Sequence, residues 1–289
     1  MGGWITVRRL RWRANGRGPW LPLCAASGLV KAGARLWVVA DDLHHLVELP
    51  SGRGHRLFPG EPPRDPVRRK KVKKDLEALV ALPGGRLLAF PSGSKKRRAL
   101  GALVALGAGG RWAGSCVLDC GALLRALGKA VPGLNIEGGF VAGDRIALLQ
   151  RGNGRKRLNA LIEYSLDAFL AWVDGRRSVP KARVRRVRLG AWDGTPLSFT
   201  DGFFHGGVVY FCAAAERTDD PVRDGEVAGS VVGVLERGER PRVLARFPKV
   251  KLEGLALDAA RGRRLSVLAV TDADDPRRPA LLLRGSIAA

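Results

Sequence analysis

The chain has 289 residues, with 50 Lys and Arg against 27 Asp and Glu for a net charge of +23. A hydrophobic content of 46% with 38 Gly and 17 Pro excludes a disordered chain and favours many short strands joined by turns over a few long helices. The first thirty residues carry five arginines and no signal-peptide core, and no 18-residue apolar run follows. A soluble, cytoplasmic monomer that enters no membrane is expected.

In chain order, Ile5-Thr6-Val7-Arg8-Arg9-Leu10 reads as a lone strand. Beyond it, five apolar runs are each entered through a glycine turn: 35–39, 86–90, 145–149, 207–211 and 264–268, with Gly33, Gly85, Gly143, Gly206 and Gly262 just upstream. Continuous runs rich in branched and aromatic residues read as strands covered on both faces. Further strands are expected at 44–49 and 54–58, at 99–106 and 113–118, at 157–164 and 182–189, and at 228–235 and 242–247. The last unit has room for three, at 252–257, 264–270 and 280–285. Residues 121–130 and 166–173 read as helices, inserted on the rim.

A short motif precedes each apolar run: Ser27-Gly28-Leu29, Glu77-Ala78-Leu79, Glu137-Gly138-Gly139, Asp201-Gly202-Phe203 and Glu253-Gly254-Leu255. The intervals are 50, 60, 64 and 52 residues, and passing from Glu253 through the C-terminus round to Ser27 covers 63 more. A period that closes on itself predicts an all-β fold, a single β-propeller over residues 1–289 with five blades, or six if a degenerate blade hides in 174–190. The N-terminal strand would supply the missing fourth strand of the last blade, antiparallel to 280–285, and close the ring. Two β-sandwich domains would also show many short strands, but they predict no period along the whole chain.

The openings Leu252-Glu253-Gly254-Leu255-Ala256 and Leu76-Glu77-Ala78-Leu79 resemble the first strands of phytase-like and esterase-like bacterial β-propellers, a group that includes families of undefined function. The resemblance implies a propeller, phosphoester hydrolysis as an activity, and calcium held near the axis by carboxylates. Against the calcium, Ser27 stands at one repeat and no acidic calcium loop is present.

In a four-stranded blade the start of the inner strand and the loop between the second and third strands share a face. Glu77, Glu137, Asp201 and Glu253 are therefore expected around one mouth of the central channel. Asp42, Asp272, Arg98, Arg151, Asn153 and Arg155 would come from the facing loops. Three roles are open to the acids: pairing that holds blades together, a metal or catalytic cluster, or a ligand-binding mouth. The basic runs Arg68-Arg69-Lys70-Lys71 with Lys73 and Lys74, Lys95-Lys96-Arg97-Arg98, and Arg151 with Arg155, Lys156 and Arg157 map to that same face. They suit an anionic, phosphorylated small molecule, or a nucleic-acid backbone, or they are solvated loops. An Arg-, Ala- and Gly-rich composition also follows from codon usage alone. Aromatics are 6% of the chain and fall mostly in strands, which argues against a stacking platform for single-stranded nucleic acid. An interaction scaffold is the remaining reading.

Other chemistry is sparse. Cys24, Cys116, Cys120 and Cys212 have no metal-ligand or CxxC spacing and read as free, buried thiols. His44, His45, His55 and His205 have no ligand spacing either, and Ser92-Gly93-Ser94 lacks a histidine nearby that would activate a serine.

Overall fold

The computed structural model describes residues 3–153, 158–217, 225–236, 238 and 240–288. Five antiparallel sheets form a ring. Blade 1 holds Ala26–Ala32, Arg35–Ala40, His45–Leu49 and Arg53–Arg56; blade 2 holds Leu76–Leu82, Arg86–Pro91, Leu100–Gly107 and Arg111–Asp119. Blade 3 consists of Ile136–Ala142, Arg145–Gln150, Asn159–Ser165 and Arg183–Val187. Blade 4 consists of Thr195–His205, Val208–Arg217, Glu226–Leu235 and Arg242–Pro248, with a short extra strand Ala191–Trp192 beside its inner strand. Blade 5 takes Lys251–Arg261, Arg264–Asp272 and Leu281–Ala288 from the C-terminus and Ile5–Arg9 from the N-terminus.

The expected closure is present, with Ile5 opposite Arg284 and Arg9 opposite Leu281 in antiparallel register. The N-terminal segment goes further than its sequence suggested. Leu10 donates its N–H to the Ala280 carbonyl, and Arg11–Ala14 then runs parallel to the outer strand of blade 1, with Arg13 opposite Arg53. Leu21–Pro22 pairs back onto this strand, so residues 5–22 bind the outer edges of blades 5 and 1 together.

Unbroken apolar second strands follow from how the blades pack. In Arg35–Ala40, Trp37 and Val39 point into the seam with blade 2, whereas Val38 and Ala40 point into the seam with blade 5. The same alternation puts Leu87 and Ala89 on one side of blade 2 and Leu88 and Phe90 on the other. Successive side chains leave opposite faces of a strand, so a sheet buried on both faces needs apolar residues at every position. The core is accordingly five clusters, one in each seam between neighbouring blades.

The helices Gly121–Ala130 and Leu166–Val173 form as expected, but they do more than decorate the rim. Leu123, Leu124 and Leu127 of the first and Phe169 and Trp172 of the second are buried in the seam between blades 2 and 3. A third helix, Pro66–Lys71, has Asp65 as its N-cap, whose side chain accepts from the Arg68 N–H, and proline at its first position. Asp65-Pro66 was the signal for it, but six residues are too few for periodicity to show. All four cysteines are free; Cys24, Cys120 and Cys212 are buried, while Cys116 is exposed on the outer strand of blade 2, contrary to expectation. Among the described residues, no helix is long and apolar enough to cross a membrane.

Candidate functional site

The five inner strands lie side by side around the axis, and each carries a β-bulge, near its start in four blades and midway along Thr195–His205 in blade 4. The ladder skips one residue in every blade: Ser27, Glu77, Glu137, Thr200 and Glu253. A bulged residue leaves the ladder and has its side chain re-aimed, which explains why all five are polar. The next position is Gly28, Ala78, Gly138, Asp201 and Gly254 in turn. It must be small where the next blade's backbone passes close: a Cβ on Gly28 would lie 2.9 Å from the Leu79 nitrogen, and one on Gly254 would lie 3.1 Å from that of Leu29.

This register corrects the placement of Asp201. The acid-glycine pair in blade 4 looked like the others, yet the bulged residue there is Thr200, and Asp201 sits one position further along the channel. Its carboxyl reaches across to blade 5 and accepts the Leu255 N–H at 2.9 Å. Burial holds the Asp201 carboxyl well above the usual range. It stitches two blades together and does not line the mouth.

At the mouth, a cavity of about 240 Å³ is bounded by Glu77, Glu137 and Glu253 from the bulges and by Asp41, Asp75 and Asp272 beside them. Six cations face the same space: Lys70, Lys73, Lys95, Arg98, Arg151 and Lys251. Of the residues expected here, Glu77, Glu137, Glu253, Arg98, Arg151 and Asp272 are brought together. Asn153 is buried just behind, with its Oδ1 3.5 Å from Asn135 Nδ2. Asp42 is not at the mouth. It turns away to a buried ion pair with Arg69 at 2.9 Å, because the helix Pro66–Lys71 brings that guanidinium underneath it. Arg155 lies outside the described residues. Lys73, placed on this face with its basic run, is also here, whereas Lys251, Asp75 and Asn135 went unnoticed in the sequence; each lies two residues before a bulged residue, a position that no local pattern marks.

Two charge networks fill the mouth. On the side of blades 1 and 2, the Lys73 ammonium lies 2.5 Å from Asp41, 2.7 Å from Asp75 and 3.8 Å from Glu77. Asp75 also accepts from Arg98 at 3.0 Å and from Ser92 and Ser94. Burial alone would raise the Asp75 carboxyl, but Lys73, Ser92 and Arg98 outweigh it and hold it below the usual range. Glu77 is pushed well up, by burial first and then by repulsion from Glu137.

On the side of blades 3 to 5, Arg151 lies 3.2 Å from Glu137, 2.7 Å from Glu216 and 3.8 Å from Glu253. Lys251 lies 3.0 Å from Glu216, 3.0 Å from Glu253 and 2.9 Å from Asp274. Among the described residues, four carboxyls thus surround two cations. Burial disfavours the charged form of an acid unless its partners compensate. Burial pushes Glu137 up to about 8 against the pull of Arg151, and it raises Glu253 as well. Asp272 is likewise pushed up to about 8 by burial, with Lys251 opposing and Asp274 and Asp41 adding to the rise.

The carboxylates suit calcium in chemistry but not in arrangement. Asp41, Asp75 and Glu77 offer oxygens within 4.8 Å of one another, hard donors of the kind calcium takes. The Lys73 ammonium is already within reach of all three, so a cation's place among them is held by a side chain. No step through a metal follows from this set. The opposite mouth is apolar, lined by Leu29, Leu79, Phe140, Phe203, Phe204 and Leu257.

These features define the class: a five-bladed β-propeller with a densely charged, ligand-sized recess at one end of its channel. The protein belongs to DUF6929, a family of unknown function, whose model matches residues 22–287. No curated protein matches it by sequence. Among solved structures it is similar to the β-propeller domain of Myceliophteria thermophila Cps50 (Swd1), at 9% identity over 99% of this chain and 100% of that one, with a TM-score of 0.39. It is also similar to a bifunctional GH43-CE protein of Bacteroides eggerthii, at 12% identity over 95% and 34% with a TM-score of 0.48. A third is PorZ of Porphyromonas gingivalis, a bacterial surface component of the type-IX secretion system, at 12% identity over 86% and 25% with a TM-score of 0.35. The chain spans about a third or less of the length of the last two. Likeness at these scores carries no argument about activity.

Proposed function

We propose that this propeller binds a small anionic molecule, phosphorylated in its best-fitting form, in the charged mouth. The observation that carries this reading is the mismatch between formal and effective charge there. Six acids face six cations, but Glu77, Glu137, Glu253 and Asp272 are all pushed up by burial. Burial disfavours the charged form of these four carboxyls, so they offset the six cations of the lining less than their number suggests. Arginine and lysine side chains projecting into one recess suit a phosphoryl group.

Lys95 is the clearest reporter. It is half-buried and lines the cavity, yet its ammonium makes no ion pair with a described carboxylate. Titration calorimetry with pyrophosphate and a sugar phosphate should show saturable binding, weakened by roughly tenfold or more in Lys95→Ala, since a hydrogen bond to a charged group contributes about 1.5–3 kcal/mol. Absence of binding at millimolar ligand, or indifference to Lys95→Ala, would remove this reading. Phosphoester hydrolysis assisted by calcium is less well supported, because the Lys73 ammonium already sits among the three converging carboxyls. A cytoplasmic location belongs to the same proposal and is supported by the free thiols.

A further inference from the structure

Two further depressions flank the mouth. A depression of about 250 Å³ adjoins it, sharing Lys73 and Arg98 and adding Lys71, Lys74 and Arg97 with no acidic residue in its lining. Another, of about 680 Å³, shares Lys251 and Asp272 with the mouth and adds Arg9, Lys249, Arg277 and Arg278. Its two further acids, Glu226 and Asp274, are paired with Arg217 and Lys251. The first depression lies where blades 1 and 2 meet and the second where blades 4 and 5 meet, on the far side of the ring. Both open on the face that carries the mouth.

Four of the six cations of the mouth differ from those of the arms in their partners. Lys73, Arg98, Arg151 and Lys251 are tied to carboxylates. Among the described residues, Lys71, Lys74 and Arg97 on one arm form no ion pair, and neither do Arg9, Lys249, Arg277 and Arg278 on the other. All of these but the half-buried Lys74 are exposed at the surface outright. Unneutralised cations on both flanks of a recess call for a ligand that carries negative charge along its whole length. No aromatic side chain lines any of the three depressions among the described residues, so bases would find nothing to stack on.

Resting on the anion-binding mouth above, we propose that the ligand is a linear polyphosphate chain, seated with inner phosphates in the mouth and its ends along the two arms. The test compares pyrophosphate, tripolyphosphate and long-chain polyphosphate on the intact protein by calorimetry. It also uses two double variants, Lys74→Gln with Arg97→Gln and Arg277→Gln with Arg278→Gln. Affinity should rise with chain length. Each double variant should weaken the long chain by about tenfold or more and flatten its salt dependence, because a phosphate that no longer meets a cation keeps its counterion instead of releasing it. Pyrophosphate should bind all three proteins alike. Equal affinity for tripolyphosphate and the long chain, or indifference to both double variants, would overturn the arms and leave the mouth standing. Length-dependent binding without any pyrophosphate binding would overturn the mouth and keep the arms. Equal binding of an oligothymidylate of matching charge would overturn polyphosphate as the ligand in favour of a nucleic-acid strand.

Discussion

Glu137 shows how a single carboxyl at the mouth answers to its surroundings. Its folded-state value of about 8 stands well above the ordinary 4.5. Below the lower value both states hold the proton; between the two values only the folded protein does. Each step up in pH through that window therefore favours the unfolded chain, and stability falls as pH rises. Glu137→Gln replaces a neutral acid by a neutral amide, so denaturation curves of the variant should slope less with pH between about 5 and 8, and above about 8 it should be the more stable protein. A slope equal to that of wild type would mean that Glu137 is ionised and held by Arg151. Arg151→Met is the opposite case. It strips the guanidinium from Glu137, Glu216 and Glu253 and should cost about 3–5 kcal/mol, the usual consequence of leaving buried charge unpaired. The repeated acids thus divide: Asp201 serves the blades, whereas Glu77, Glu137 and Glu253 face the recess.

Among the elements, the N-terminal strand carries the most. Ile5–Arg9 covers the edge of Leu281–Ala288, and Arg11–Ala14 covers that of Arg53–Arg56. Deleting residues 3–10 would remove the outer strand of blade 5, bare the edge of Leu281–Ala288 and take Leu10 from the seam between blades 5 and 1. A bare strand edge invites pairing with another chain, and the melting temperature should drop by roughly 10 °C or more. Scanning calorimetry with light scattering checks both effects, and an unchanged melting temperature would show that the ring closes without this strand. The element assignments themselves were largely legible in the sequence. Apolar second strands, glycine turns and both longer helices could be placed because two-sided burial leaves a continuous hydrophobic run. Pro66–Lys71 and Arg11–Ala14 could not, since one is short and the other is a polar stretch whose pairing partner lies some forty residues away.

At the scale of the whole molecule, the ring converts a diffuse positive charge into a graded one, with mostly paired cations at the centre and, among the described residues, cations without ion pairs on the flanks. An anion of fixed charge, such as sulfate, should bind more weakly as pH rises through about 8, because Glu137 and Asp272 gain charge there. We expect a loss of roughly threefold or more between pH 7 and 9, from like charges introduced a few ångströms from the ligand. Equal affinity at both would place the anion away from the mouth.

The blade count, the order of strands, the closing strand and the glutamates of the mouth were all readable from the order of amino acids. Those properties repeat along the chain, and each is set by local periodicity and turn chemistry. It took the folded ring to show that Thr200 and not Asp201 occupies the bulge in blade 4, that Asp42 turns to Arg69, and that Lys73 holds the place a cation would take among Asp41, Asp75 and Glu77. Each of these depends on which backbone or side chain from another blade or helix comes within hydrogen-bonding reach. That distance is fixed when the ring closes, and no spacing within one repeat encodes it.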